Sequence, residues 1–278
     1  MRLLGNITEK TTDAASWIAA FQRAGYTALT NPLPFENTND ADLDAYIQAA
    51  AAANLPFTEV GAWSNPIDPD PIKARAAITH CQQALHRAER LGARCCVNIA
   101  GSRNPAKWDG PHPDNFSSDT FDLIVHSIRE IIDAVKPART FYTLETMPWI
   151  FPSSPDEYLA LIKAVERPAF AVHLDPVNMI NCPARAYRSG DFIRECFEKL
   201  GPYIKSCHAK DFILRDTLTF HIDEFMRPGA GMLDYDTYLR ELAKLDPDTT
   251  LLIEHIPDEE HPVALEYLRA KLKELNLA

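Results

Sequence analysis

Short apolar runs alternate along the whole chain with longer amphipathic stretches. The runs fall at 3–7, 26–29, 56–61, 94–99, 140–145, 170–175, 204–208 and 250–254. Between and after them, apolar residues recur every three or four positions over 13–24, 40–53, 70–91, 118–135, 155–165, 188–200, 235–245 and 259–275. In the third of these stretches Ala74, Ile78, Cys81, Leu85 and Ala88 mark one helical face. Strands that alternate with helices make right-handed βαβ units and a parallel sheet. Eight units in 278 residues predict an α/β chain folded as a (β/α)8 TIM barrel, one domain over 1–278.

The punctuation agrees. Ser154, Pro155, Asp156 and Glu157 read as a capping serine, a proline at the first helical position and acids in the first turn. Gly25 and Gly92 each follow the apolar end of a helix. Segments that follow strands (62–69, 100–117, 146–153, 176–186 and 209–233) are long, and those that follow helices are short. In a parallel barrel the loops after strands share one mouth, so a site is expected there.

Composition narrows the partners. Apolar residues make up 46% of the chain, enough for a large core. The 28 basic and 39 acidic residues give a net charge of −11, and no basic run interrupts it. That field repels polyanions, so no nucleic-acid partner is expected. No stretch approaches the ~18 apolar residues of a membrane span. The first residues lack the apolar segment of a secretory signal, and the expected location is the cytoplasm. The six cysteines show no CxxC spacing and read as reduced thiols, several of them buried.

Four successive strands end on residues able to bind a hard or borderline cation: Glu145 in YTLET, Asp175 in AVHLDPVN, His208 in KSCHAKD and Glu254 in LLIEH. Singly, each reads equally as a strand-end salt bridge or a loop cap. Together they sit on neighbouring staves and converge on one small volume. Packing gives no reason for a charge at the end of an apolar strand, and three carboxylates without a cation repel one another. Three carboxylates and one imidazole suit one divalent cation, Mn2+ first, with Mg2+ or Co2+ as alternatives.

On these residues the chain resembles the xylose-isomerase-like superfamily of sugar phosphate isomerases and epimerases, which includes ketose 3-epimerases, inosose-processing enzymes and, more distantly, endonuclease IV. The resemblance spans essentially the whole barrel. It is carried by LET at Glu145, HLDPVN at Asp175, CHAKD at His208 and IEH at Glu254, with EVGAWSNP at 59–66 and RPGAGMLDY at 227–235 in support. It implies one catalytic metal at the four positions, with Glu145 and Glu254 as the acid/base pair on either face of the substrate carbon. It also implies a substrate contact from Arg227. Asn178 departs from the pattern, because ketose epimerases carry a substrate-touching histidine there. That departure weakens both the ketose 3-epimerase reading and the endonuclease IV reading.

The expected activity is a divalent-metal-dependent isomerase or epimerase of a sugar or keto-sugar. It would work by proton transfer through a metal-stabilised cis-enediolate. β-Elimination from the same enediolate would instead make a lyase or hydratase of a keto-sugar or keto-glycoside. A non-catalytic barrel is a third reading, opposed by the intact ligand set.

Around this centre, His173 shares the face of Asp175 by two-residue spacing and reads as a substrate contact, a support for a ligand or a core histidine. Asn178 reads as a substrate contact. Lys210 reads as a contact to a substrate oxygen or to an acid near the metal, with a loop salt bridge as the plain alternative. Glu59 faces either the barrel interior or the site, where it reads as a substrate contact. Trp108 and His112, with Trp63 and Trp149, lie on mouth loops and read as walls for a sugar face, loop packing being the alternative. His255 is expected to point away from the face of Glu254. Arg103 and Lys107 lack a glycine-rich cradle, so no phosphate is inferred, and Gly229 and Gly231 read as a turn. A homo-oligomer is allowed by analogy with such barrels.

Overall fold

The computed structural model describes residues 1–36 and 38–277, apart from the side chains of 224 and 225. In chain order the strands are β1 (Arg2–Leu4), β2 (Leu29–Thr30), β3 (Phe57–Gly61), β4 (Cys95–Asn98), β5 (Phe141–Glu145), β6 (Phe170–Leu174), β7 (Ile204–Ala209), β8 (Asp211–Leu214), β9 (Ile222–Met226) and β10 (Thr250–Ile253). Eight of them form one parallel sheet in the order β1-β10-β7-β6-β5-β4-β3-β2. The sheet curls into a nearly closed barrel. Its seam, between β1 and β2, is bridged by Thr27: its backbone N–H donates to Leu3 O at 3.0 Å, and its Oγ1 accepts from Leu3 N at 2.9 Å. This irregular seam explains why β1 and β2 are shorter than the apolar runs at 3–7 and 26–29.

The helices are α1 (Ala14–Ala24), α2 (Asp44–Ala53), α3 (Pro71–Leu91), α4 (Ser118–Val135), α5 (Pro155–Val165), α6 (Pro183–Tyr187), α7 (Ser189–Leu200), α8 (Tyr235–Leu242) and α9 (His261–Glu274). Their ends follow local chemistry. Asp13 accepts from Ser16 N at the start of α1, and Gly25 ends it with φ 82°. Asp70 caps α3 and Gly92 closes it at φ 67°. Ser154 accepts from Glu157 N at the start of α5. Trp17, Ile18 and Phe21 on α1 and Ile124, Ile128 and Ile131 on α4 bury themselves against the strands, each side chain contributing about 1.5–3 kcal/mol. No helix among the described residues is long and apolar enough to cross a membrane. All six cysteines are free thiols.

The segment at 209–233, expected as loop, carries the antiparallel pair β8–β9. Its alternation is interrupted by the exposed tip at 215–221, where Leu218 and Phe220 stand among polar residues, which hides the hairpin from a period-two reading.

Candidate active site

Strand pleating decides which side chains enter the barrel. On β5, Tyr142 and Leu144 pack outward while Thr143 and Glu145 face in; on β7, Cys207 and Ala209 pack outward while Ser206 and His208 face in, with Lys210 next in the same series. Tyrosine hydroxyls fix the strand ends from behind. Tyr158 of α5 donates to Leu144 O at 2.7 Å. From α8, Tyr238 donates to His208 O at 2.9 Å and Tyr235 to Lys210 O at 2.7 Å.

Glu145, Asp175, His208 and Glu254 meet at the mouth, each offering one ligand atom, all within 4.8 Å of one another. His208 Nδ1 lies 2.7 Å from Glu254 Oε1, 3.3 Å from Glu145 Oε1 and 3.8 Å from Asp175 Oδ2. Asp175 divides its oxygens. Its Oδ1 accepts from Val177 N at 3.0 Å and Asn178 N at 3.2 Å, which leaves Oδ2 to face the centre. Lys210 reaches back from the mouth side with its ammonium 2.8 Å from Asp175 Oδ2, 2.7 Å from Glu254 Oε1 and 3.4 Å from Glu145 Oε1.

Burial opposes charge on every member of this cluster, and the neighbours decide the outcome. On His208 the carboxylates of Glu254 and Glu145 outweigh burial and hold the imidazole protonated well above its usual range. Asp175, Glu145 and Glu254 do the same for the Lys210 ammonium. Asp175 is pulled far below the carboxylate range, against its burial, by Lys210 and His208. Glu254 is lowered, also against burial, by His208 and then Lys210. Glu145 moves the other way: burial raises it, Lys210 only partly offsets that, and Glu254 adds to it. Three carboxylates are thus balanced by an ammonium and an imidazolium.

The donor set fits a divalent cation. Asp175 Oδ2 and Glu254 Oε1 are buried and receive no aligned hydrogen bond, even with the Lys210 ammonium at ion-pair distance. Such lone pairs are costly to leave unmet. An ion bound to these four atoms would satisfy them and take the place of the imidazolium proton.

Above the cluster opens a cavity of about 460 Å3 lined by Trp63, Trp108, Trp149 and Met147, with Glu145, Asn178, Lys210 and Glu254 on its floor. That volume lies within the usual range for small-molecule sites. Trp149 is held in place by its N–H to Asp109 O at 2.7 Å. Asn178 reaches the floor and donates to Glu145 Oε1 at 2.8 Å. Lys107 also lines the cavity and lies 3.6 Å from Asp109.

Other expected residues sit elsewhere. Glu59 and His173 lie under His208, inside the barrel, and outside the cavity lining. Arg227 lies outside that lining, 3.7 Å from Glu260. His112 caps a short 3-10 turn by accepting from Asp114 N, and Arg103 is tied to Ile67 O.

His255 corrects the expectation from strand alternation. It lies two residues past the end of β10, with φ 55°, so the alternation has already stopped. Its ring lines the cavity, with Nδ1 3.8 Å from Glu254 Oε1.

Asp211 is the residue that sequence reasoning passed over. It is fully buried, and its carboxylate accepts four backbone N–H groups: Phe212 at 2.8 Å, Gly229 at 3.0 Å, Gly231 at 3.0 Å and Leu233 at 2.8 Å. The loop closes on it tightly enough that a Cβ at Gly231 would sit 2.3 Å from Asp211 Oδ1. The glycines of RPGAG were the available signal, since they permit that approach.

The sequence profile described as "Xylose isomerase-like TIM barrel" matches residues 18–271. No curated protein matches the sequence significantly. Among solved structures, D-psicose 3-epimerase with D-tagatose from Clostridium cellulolyticum H10 superposes with TM-score 0.70 at 18% identity, over 98% of this chain and 99% of that one. The 3-keto-D-glucoside 4-epimerase of E. coli superposes with TM-score 0.68 at 13% identity, over 100% of both chains. A xylose isomerase-like TIM barrel protein from Mycobacterium smegmatis, in complex with magnesium, gives TM-score 0.68 at 17% identity, over 96% of this chain and 91% of that one. A profile match over nearly the whole barrel, on a fold with this strand order, places the chain in the xylose isomerase-like TIM barrel family.

Proposed function

We propose that the protein is a divalent-metal-dependent enzyme that moves a proton on a carbon beside a carbonyl in a sugar or keto-sugar, giving an isomer or epimer. The observation that carries this reading is the meeting of Glu145, Asp175, His208 and Glu254, of which Glu145 and Glu254 reach the floor of a tryptophan-walled cavity. The similarity of the fold to a D-psicose 3-epimerase and a 3-keto-D-glucoside 4-epimerase supports it, as does the magnesium bound to a third similar structure.

An ion held by these four residues supplies Lewis-acid polarisation of the substrate carbonyl. The remaining work falls to the chain. Glu145 and Glu254 each carry a second carboxylate oxygen. One glutamate takes the proton from the carbon, and the other returns a proton to the opposite face or to the neighbouring carbon. Asn178 and Lys210 hold Glu145 in place through its Oε1. Lys210 also offsets negative charge as the enediolate develops. The indole walls suit the C–H faces of a sugar ring.

The test is proton exchange. Keto-sugars incubated in D2O with the Mn2+-loaded protein are expected to gain deuterium at one C–H beside the carbonyl. EDTA or Glu145→Gln should abolish the exchange. Loss of a leaving group in place of simple exchange would make the enzyme a lyase. Exchange indifferent to chelator would remove the metal reading.

A further inference from the structure

Below the mouth, the barrel interior carries a second polar layer. Glu59 of β3, Cys95 of β4, His173 of β6 and Ser206 of β7 are all buried where a barrel usually stacks branched aliphatic side chains. Cys95 Sγ and Ser206 Oγ are 3.1 Å apart, and Ser206 Oγ is 2.5 Å from His173 Nδ1. The His173 ring lies edge-on to the ring of His208, with centroids 3.9 Å apart.

Glu59 stands out within this layer. It is only 6% exposed, and its Oε1 accepts no hydrogen bond. A buried carboxylate normally finds a donor, because leaving it unmet is costly. Two imidazoles face it. His173 Nδ1 is 3.9 Å from Glu59 Oε1, and Ser206 already occupies that nitrogen. His208 Nε2 is 3.6 Å from Glu59 Oε2. The opposite nitrogen of the same ring, Nδ1, is the one that faces Glu254, Glu145 and Asp175.

We propose that Glu59 is a positioning residue for His208: its carboxylate accepts the Nε2–H, which leaves the Nδ1 lone pair free for the cation. The inference rests on the metal-dependent reading above and adds a residue to it. A neutral imidazole carries one proton, and the nitrogen that keeps it is set by the hydrogen bond available on that side. The 3.6 Å gap needs only a small ring rotation to reach the ~2.9 Å of an N–H···O bond. β3 and β7 lie on opposite sides of the barrel, so Glu59 spans the interior, and the His173 ring beneath His208 limits its tilt.

The test compares the wild type with Glu59→Leu and the nearly isosteric Glu59→Gln, each first shown to fold by circular dichroism. Mn2+ affinity of the stripped proteins is measured by competition with a fluorescent chelator. Metal count is measured by mass spectrometry of the loaded proteins. The Nε2–H of His208 is observed by 15N NMR with Mg2+ bound.

Glu59→Leu is expected to weaken Mn2+ binding about 10–100-fold and to lose the slowly exchanging Nε2–H. Glu59→Gln keeps an acceptor oxygen and should lose less. Substrate KM at saturating metal should not move. Unchanged Mn2+ affinity with a raised KM would make Glu59 a substrate contact and overturn the inference. Two ions in the wild type and one in Glu59→Leu would also overturn it, in favour of a second cation held by Glu59, His173 and His208. A wild type that binds no ion sinks the functional reading itself. A wild type that binds one ion as tightly as both variants sinks this inference alone.

Discussion

Asn178 donates its side-chain N–H to Oε1 of Glu145 at 2.8 Å, while its own Oδ1 lies 3.2 Å from the ammonium of Lys210. One neutral amide thus orients a carboxylate and a cation of the candidate centre together. It occupies the position where the ketose epimerase pattern carries a histidine, and it offers both a donor and an acceptor in a fixed plane.

Removing that amide should disturb the glutamate more than the fold. Asn178→Ala is expected to lower kcat roughly tenfold, the scale of one hydrogen bond to a charged group, with a melting temperature close to wild type. Steady-state kinetics on the substrate found by deuterium exchange, with thermal unfolding alongside, checks this. An unchanged kcat would mean that Lys210 alone holds Glu145.

Lys210 is only 1% exposed and touches all three carboxylates. In the stripped protein, Lys210→Met leaves buried negative charge with less compensation, a change that typically costs about 3–5 kcal/mol. The expected result is a lowered melting temperature in EDTA and a larger rise on adding Mn2+ than the wild type shows. Equal metal-induced rises in the two proteins would show that the ammonium does not balance the cluster.

Metal affinity should rise with pH. The cation needs a neutral imidazole, yet the facing carboxylates, acting against burial, hold His208 protonated well above its ordinary range. Mn2+ must therefore displace a proton, and affinity should climb by up to ~10-fold per pH unit from about pH 6.5 toward the raised pKa. The stability of the stripped protein has the opposite sign. A raised folded pKa stabilises fully below the unfolded value near ~6.5, and that contribution is lost as pH rises through the folded pKa. Chelator competition and thermal scans at several pH values would read both trends, and a flat affinity profile would contradict the first.

Asp211 organises the loop at 227–233 by accepting four backbone N–H groups. Asp211→Ala strands at least two of these donors in buried surroundings, at about 1–3 kcal/mol each. We expect a drop of ~3 kcal/mol in urea unfolding, together with faster amide exchange at Gly229 and Gly231. Wild-type stability would mean that the loop holds itself.

The sequence by itself determined the barrel and the four strand-end residues. Alternating runs and amphipathic stretches fixed eight βα units, because each element must bury one face. Asp70, Ser154, Gly25 and Gly92 marked helix ends, because capping is local chemistry. Glu145, Asp175, His208 and Glu254 were legible because a charge closing an apolar strand has no packing reason to be there.

Only the tertiary structure decided how far each remaining side chain reaches and from which side. For Glu59 the sequence leaves both the barrel interior and the site open, and for His173 a substrate contact, a support for a ligand or a core position; the pleat and the depth of β3 and β6 place both beneath His208. Lys210 reads as a contact to a substrate oxygen, to an acid near the metal or to a loop partner, and the structure decides among these: its long stem carries the ammonium back down among the carboxylates. His255 left the strand's alternation as soon as its backbone turned left-handed, and the four N–H groups that Asp211 gathers lie up to 22 residues away along the chain. Alternation and capping act over a few residues and can be read from the sequence. Depth, tilt and through-space charge depend on staves far apart in the chain, and they exist only once the barrel has closed.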